Sequence, residues 1–259
     1  MIFDCHTHWG VVWADRDGAD PASWLHTLDT YGLTHAIVLG HRGIVDSAAC
    51  ARDHNDVAAV CAASDGRMLQ FATVHPSQGR AAVDEAVRCL DNLGVRGLKF
   101  HPWLQGETLF QPVMDELAEL AAERAVPLYF HDGTPCYSMP SQVAGLARRH
   151  PRTTMVLGHG GLLELWREGI AAVRRCPNLW ACLCGPHPAA HREYFKRCDR
   201  ARLLWGSDFG FGFSDPYAYR LGMVRMLGQS DDILQAVFET NPCRLLGIKM
   251  PEGDIHGCR

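Results

Sequence analysis

One alternation runs along the chain from end to end. A short apolar run is followed by a stretch with apolar residues at helical spacing, and the unit recurs roughly every 25 to 33 residues. The apolar runs open at Ile2 and then fall at His35–Gly40, Met68–Val74, Val95–Pro102, Val126–His131, Thr153–His159, Asn178–Cys184 and Arg202–Asp208. Helices are expected over Pro21–Tyr31, Ser47–Ala63, a segment with Val83, Ala86, Val87 and Leu90 that stops at Gly94, Gln111–Ala125, and Ser141–His150. Four more follow: one ending at Arg175, then Ala189–Arg197, Pro216–Leu227 and Asp231–Thr240. Parallel strands need a crossover between them, usually a helix, and eight such units predict an α/β fold, the closed (β/α)8 TIM barrel. An open doubly wound sheet is the competing architecture, but no glycine-rich phosphate loop follows the first strand. No linker divides the chain, so residues 1–249 are expected to form a single domain, with 250–259 a short polar tail in which His256 and Cys258 are incidental.

Length and composition agree with that reading. A single barrel uses about 250 residues, and the chain has 259, 47% of them hydrophobic and 21% charged. The net charge of -4 with no basic block argues against nucleic acid and anionic membrane as partners. No apolar run is long enough to span a bilayer, and no charged segment with a long apolar run precedes Asp4. Eleven cysteines without C-x-x-C pairs, several in core segments (Cys61, Cys89, Cys182), read as small buried hydrophobes. Together these predict a cytoplasmic protein without a disulfide framework.

Active sites in a barrel lie at the carboxyl ends of the strands. Those ends carry His6 and His8, His41, His75, Lys99 and His101, His131, His159 and Asp208. Each histidine alone is better explained as solvated or hydrogen-bonded. Chance, however, does not favour the same end of so many strands. In an extended strand His6 and His8 share a face and can reach one ion together. Three histidines and a carboxylate suit one mid-series divalent ion, Zn²⁺ ahead of Mn²⁺, with a position open for water.

These residues also form recognisable motifs. His6-Thr7-His8, Gly97-Leu98-Lys99-Phe100-His101-Pro102, the strand ending at His131, Gly158-His159-Gly160-Gly161, Gly206-Ser207-Asp208 and Thr240-Asn241-Pro242-Cys243-Arg244-Leu245 resemble the amidohydrolase superfamily. The branch resembled is the amidohydrolase-related group that includes aminocarboxymuconate-semialdehyde decarboxylase, and the segment from Asn55 through His75-Pro76 fits it too. The resemblance covers Ile2 to about Ile248. It implies His6, His8, His131 and Asp208 as metal ligands, and His159 and Asp208 as the groups that move protons. It implies a single metal, with Lys99 or His101 contacting substrate, although related binuclear enzymes carry a carboxylated lysine at the position of Lys99.

Two chemistries share those ligands. The first is hydrolysis of an amide, ester or lactone of a small molecule by an activated water. The second is non-oxidative decarboxylation of a small unsaturated or aromatic carboxylic acid. A barrel that binds metal without catalysis is the alternative of another class. The decarboxylases of this branch are longer, with insertions that shape the pocket and build a dimer. Here the loops after the first and eighth strands are compact, which favours the hydrolase and leaves a homodimer to be tested. The substrate is expected to be small, with a carboxylate for Lys99 or for Arg42, which follows the second strand. Trp9, Trp13 and Trp103 are candidate walls for a planar substrate. Cys182 and Cys184 share a strand face and read as core filling ahead of soft ligation. Arg148-Arg149-His150 reads as a solvated helix end that complements the dipole.

Overall fold

A computed structural model describes residues 1–9, 21–210 and 217–249. Trp13, Pro216 and the tail 250–259 lie outside the described residues. Eight strands, β1 (Phe3–Trp9), β2 (His35–Gly40), β3 (Met68–Thr73), β4 (Leu98–Phe100), β5 (Leu128–Phe130), β6 (Met155–Leu157), β7 (Leu179–Cys182) and β8 (Leu203–Leu204), make one parallel sheet in chain order. The segment after β8 returns to β1. Cys5 N–H donates to Trp205 O (3.0 Å), Asp208 N–H to His6 O (2.9 Å) and His8 N–H to Phe209 O (2.7 Å). The sheet therefore closes on itself as a (β/α)8 barrel, which leaves no edge strand unpaired.

The interior is filled rather than hollow. Phe3, Cys5, Ile37, Phe71, Tyr129 and Trp180 belong to one buried cluster inside the strands. A second, larger cluster packs the helices against the outer face of the sheet. That division explains why most strands read as unbroken apolar runs: both of their faces are buried.

β2 spans His35–Gly40 as periodicity predicts, but the strands from β3 onward are shorter at their carboxyl ends. The fourth run reads as Val95–Pro102 but pairs only over Leu98–Phe100. His101 gives its N–H to Gln105 Oε1 (2.8 Å), and Pro102, which has no N–H, opens a short helix to Gln105. The eighth run reads as Arg202–Asp208, yet only Leu203–Leu204 are paired as strand, and Asp208 takes a left-handed φ of 64°. Polar residues leave the ladder where their side chains are needed inside the barrel mouth.

Two helices also differ from expectation. The segment read as Ser47–Ala63 is a helix over Arg42–Val45, a 3-10 turn over Ser47–Ala49 and a helix over Cys50–Ala62. Asp46 interrupts it by accepting from Ala48 N–H (3.0 Å). The stretch Asp231–Thr240 begins as a helix to Gln235 and widens into a π-helical turn before Asn241-Pro242. There Asn241 Nδ2 donates to Arg200 O (2.8 Å) and Leu203 O (2.7 Å), tying the last helix to β8.

Outside the barrel wall, His54 joins the helix over Arg80–Asn92 to β3. Its Nδ1 lies 2.6 Å from Glu85 Oε1, and its Nε2 lies 2.9 Å from Thr73 O. Arg88 grips the same carboxylate through Nε and Nη2 (2.8 and 2.7 Å). Burial alone raises the Glu85 pKa, but the hydrogen bonds from Arg88 and His54 outweigh it and bring the group from 4.5 to about 2. A carboxylate whose folded pKa is depressed contributes stability above its unfolded value, and that contribution is lost as pH falls through the folded one. Glu85→Gln is therefore expected to lose about 2–3 kcal/mol at pH 7 and to flatten the fall in stability between pH 4.5 and about 2. Urea titrations of both proteins at pH 7 and pH 3 check this; parallel curves at the two pH values would contradict it.

Candidate metal centre

The pair that opens the site depends on an irregularity in β1. Asp4 pairs with Ala36 and Thr7 with Val38, so three steps along β1 match two along β2. The extra residue is a bulge, and it reverses side-chain parity within the strand. Phe3 and Cys5 can thus enter the barrel interior, and beyond the bulge His6 and His8 do so as well. Asp4 holds the bulge. Its carboxylate accepts from His6 N–H (3.0 Å), Ser207 N–H (3.0 Å) and Ser207 Oγ–H (2.5 Å), which fastens β1 to the chain after β8. Burial pushes its pKa up to about 6 despite those donors and the Tyr217 hydroxyl.

The ligand atoms converge. His6 Nε2 lies 3.1 Å from His8 Nε2 and 3.5 Å from Asp208 Oδ1, and His8 Nε2 lies 3.2 Å from the same oxygen. Atoms bound at about 2.0–2.1 Å to one tetrahedral ion stand about 3.3–3.4 Å apart. The trio has the spacing of one face of such a site, and the residues present fit a divalent ion. His6 Nδ1–H is committed to Gly158 O (3.0 Å), which leaves Nε2 for the ion, the orientation that metal-bound histidines adopt.

Glycine is required beside this trio. A Cβ on Gly206 would stand 2.7 Å from His6 Cβ and 2.8 Å from Cys182 Sγ. Gly206→Ala is expected to lower metal affinity by about tenfold or more and stability by about 1–3 kcal/mol. Calorimetric zinc titration with a thermal melt checks it; wild-type values for both would mean that the wall yields freely.

Charge completes the trio. Asp208 is the one strongly acidic member. Burial raises its pKa, but His159, the His8 hydrogen bond and His6 together hold it well below the ordinary carboxylate range. Burial lowers His6 and His8, keeping both imidazoles neutral and able to ligate. Lys99 is completely buried beneath them, its Nζ 3.3 Å from His6 Nε2 and 5.0 Å from the centre of the Tyr129 ring. Burial brings its amine down to about 8.

The other strand-end groups surround this centre. The His131 ring lies flat on His101, with centroids 3.8 Å apart and planes at 12°, and edge-on to His159 at 4.5 Å. His131 Nε2 meets Thr134 Oγ1 at 2.9 Å, so the nitrogen left for an ion is Nδ1. Burial, Lys99 and neighbouring imidazoles lower His101 to about 2. His159 falls to about 3 through burial, which outweighs Asp208, with Lys99 adding to it. Both rings are uncharged at neutral pH.

Several sequence candidates lie elsewhere. Trp9, on the opposite parity from His8, packs against Trp24 (5.6 Å) in the cluster outside the barrel wall. Arg42 is 55% exposed and pairs with Asp56 at 3.9 Å rather than turning into the barrel. Trp103 is about half exposed at the rim. His75 bonds Gly43 O (2.8 Å) and faces Glu107 Oε1 (3.4 Å), tying the helix over Arg42–Val45 to the segment at Glu107. His41 is buried with its ring 4.4 Å from that of His8.

Three groups at the centre carry no signal in the sequence, and a fourth reads there as core filling. Asp4 is one. Asp132 follows His131 and accepts from His159 N–H (2.7 Å) and Gly161 N–H (2.6 Å); burial raises it to about 7 despite those bonds. Arg220 lies close enough for its charge to act on His159 and Cys184. The fourth is Cys184. One ligand atom each from His6, His159, Cys184 and Asp208 lies within 4.8 Å of the others. The thiol stands on the Nδ1 side of His6 (3.5 Å), away from the nitrogen that faces Asp208, so it is a neighbour of the ion site rather than part of the trio. The ten cysteines among the described residues are all free.

A closed parallel barrel with a candidate metal centre at the carboxyl ends of its strands is the class of protein these features define. The amidohydrolase family model matches residues 3–248, and the chain belongs to that family of enzymes. No curated protein matches the sequence. Among solved structures, a probable 2-pyrone-4,6-dicarboxylic acid hydrolase from Acinetobacter baumannii, with citric acid bound, superposes with a TM-score of 0.73 at 14% identity, covering 95% of this chain and 99% of its own. A 2,6-dihydroxybenzoate decarboxylase from Rhizobium gives 0.76 at 17% identity, with 95% and 98% covered. A dihydroxybenzoic acid decarboxylase from Polaromonas sp. JS666, with bound manganese and the inhibitor 2-nitroresorcinol, gives 0.75 at 14% identity, with 95% and 96% covered. At these identities the likeness is one of fold. Among the described residues no helix is long and apolar enough to cross a membrane.

Proposed function

We propose that the protein is a hydrolase that uses one divalent ion, zinc ahead of manganese, to cleave an ester, lactone or amide bond of a small carboxylate-bearing molecule. The observation that carries this reading is the convergence of His6 Nε2, His8 Nε2 and Asp208 Oδ1 within 3.1–3.5 Å. His131, through Nδ1, is the fourth ligand. A divalent ion held by these groups supplies Lewis acidity, polarising a carbonyl and lowering the pKa of water.

The remaining work falls to the chain's own residues. His159, neutral at pH 7, accepts a proton from the attacking water and returns it to the leaving group. Asp208 keeps its negative charge beside His159 and steadies the imidazolium that forms. Lys99, 3.3 Å from His6 Nε2, and Arg220, whose charge acts on His159, orient a substrate carboxylate, with His101 as a polar wall. Lys99 as an ammonium favours one ion; only as a carboxylated side chain would it bridge two.

The second reading is a carboxy-lyase built on the same ligands. Two of the structures that share this fold are decarboxylases, and a buried cation beside the ion site suits an aromatic or unsaturated acid. Assay of the metal-loaded protein in ¹⁸O-water, with one panel of lactones, esters and amides and another of aromatic and unsaturated acids, separates the two. Incorporation of one ¹⁸O into the acid product supports the hydrolase. Release of CO₂ without incorporation overturns it in favour of the lyase.

A further inference from the structure

Cys184 follows β7, and its side chain is completely buried. It is not idle filling. Its thiol donates to Gly158 O at 3.0 Å, the carbonyl that also takes the Nδ1–H of His6. With its proton directed there, the sulfur has lone pairs for His159 Nδ1, at 3.1 Å. A neutral imidazole carries one N–H, and the partner of one nitrogen decides where that proton sits. The carboxylate beside this histidine, Asp132, is already engaged by the backbone N–H groups of His159 and Gly161. Among the described residues, Cys184 is the side chain within hydrogen-bond distance of the His159 ring.

We propose that Cys184 is a positioning residue: by accepting a hydrogen bond from His159 Nδ1–H, it fixes the tautomer in which His159 Nε2 is unprotonated and serves as the base. The inference rests on the role of His159 given above. It makes a thiol do what a carboxylate does behind a catalytic histidine, orienting the ring and choosing its basic nitrogen, without placing a second negative charge under the metal centre. A sulfur acceptor is weaker than a carboxylate, so the ring stays neutral while its orientation is held.

Long-range ¹H–¹⁵N correlation spectra of the metal-loaded protein, labelled at histidine nitrogen, read the tautomer directly; His159→Asn assigns the resonance. Wild type is expected to show His159 as the Nδ1–H form. Cys184→Ser keeps an acceptor at that point and is expected to preserve the tautomer, with kcat within about threefold of wild type. Cys184→Ala removes the acceptor. Its His159 signal is expected to move to the Nε2–H form or a mixture, and kcat to fall by about tenfold or more with KM within about twofold. A His159 that remains Nδ1–H in Cys184→Ala, or is Nε2–H in wild type, overturns the proposal. A tautomer that switches while kcat is unchanged supports the positioning by Cys184 and overturns the assignment of His159 as base. Superimposable far-ultraviolet spectra of the three proteins would establish that the variants fold.

Discussion

Asp208→Asn is expected to lower kcat by about 10³-fold, within the 10²–10⁴ range that a positioned acid–base group contributes, and to weaken zinc binding by at least about tenfold. Asparagine is the informative replacement. Asp208 sits at a φ of 64°, a region that asparagine tolerates and most other side chains avoid. The backbone is therefore spared, and the change removes charge alone. The carboxylate faces His6 at 3.5 Å and His8 at 3.2 Å, and its pKa lies well below the ordinary carboxylate range. An amide cannot balance the charge of a divalent ion there. Asp208→Ala should lose as much turnover and some stability besides, through the strained backbone. Steady-state kinetics with metal analysis of both variants checks this. Wild-type turnover in Asp208→Asn and in His159→Asn would mean that the chemistry lies elsewhere, and a barrel that binds metal without using it for catalysis would then be the better description.

The second large effect is expected at a residue that touches neither ion nor substrate. Asp4→Ala strands several buried donors, among them His6 N–H, Ser207 N–H and Ser207 Oγ–H. Each buried donor left unpaired costs about 1–3 kcal/mol, and the hydroxyl can turn to another acceptor, so a loss of about 3–5 kcal/mol is expected. For a chain of this size that lowers the melting temperature by roughly 10 °C. Because Asp4 also fixes the bulge that aims His6 inward, zinc content should fall with stability. Urea unfolding and elemental analysis measure the two effects separately. A loss under about 1 kcal/mol with full zinc content would show that Asp4 does not hold the site together.

The contrast between these two residues marks what could be read from the chain beforehand. The barrel was legible because eight apolar runs alternate with helical stretches, and both periods follow from burial. His6, His8, Lys99, His131, His159 and Asp208 could be singled out because barrel chemistry sits at strand ends and these residues occupy them; the structure brings their side chains together there. The role of Asp4 was not. A period of two places it opposite Cys5, and only the register shift between Asp4 and Thr7 shows why both Cys5 and His6 enter the barrel. Cys184 reads as an interior hydrophobe and does pack as one, but its sulfur also meets His159, a contact between the segments that follow β6 and β7 and that no local pattern encodes. Trp9 and Arg42 lie away from the centre for complementary reasons. Parity sends Trp9 to the outer wall, and Arg42 finds Asp56 on the following helix before it can reach the mouth.

Anomalous diffraction at the zinc absorption edge, from crystals of the zinc-loaded protein, tests the central claim most directly. One peak is expected, about 2.0–2.2 Å from His6 Nε2, His8 Nε2 and Asp208 Oδ1, with His131 Nδ1 completing the set. No peak there after reconstitution, or a peak held by other residues, would contradict the account.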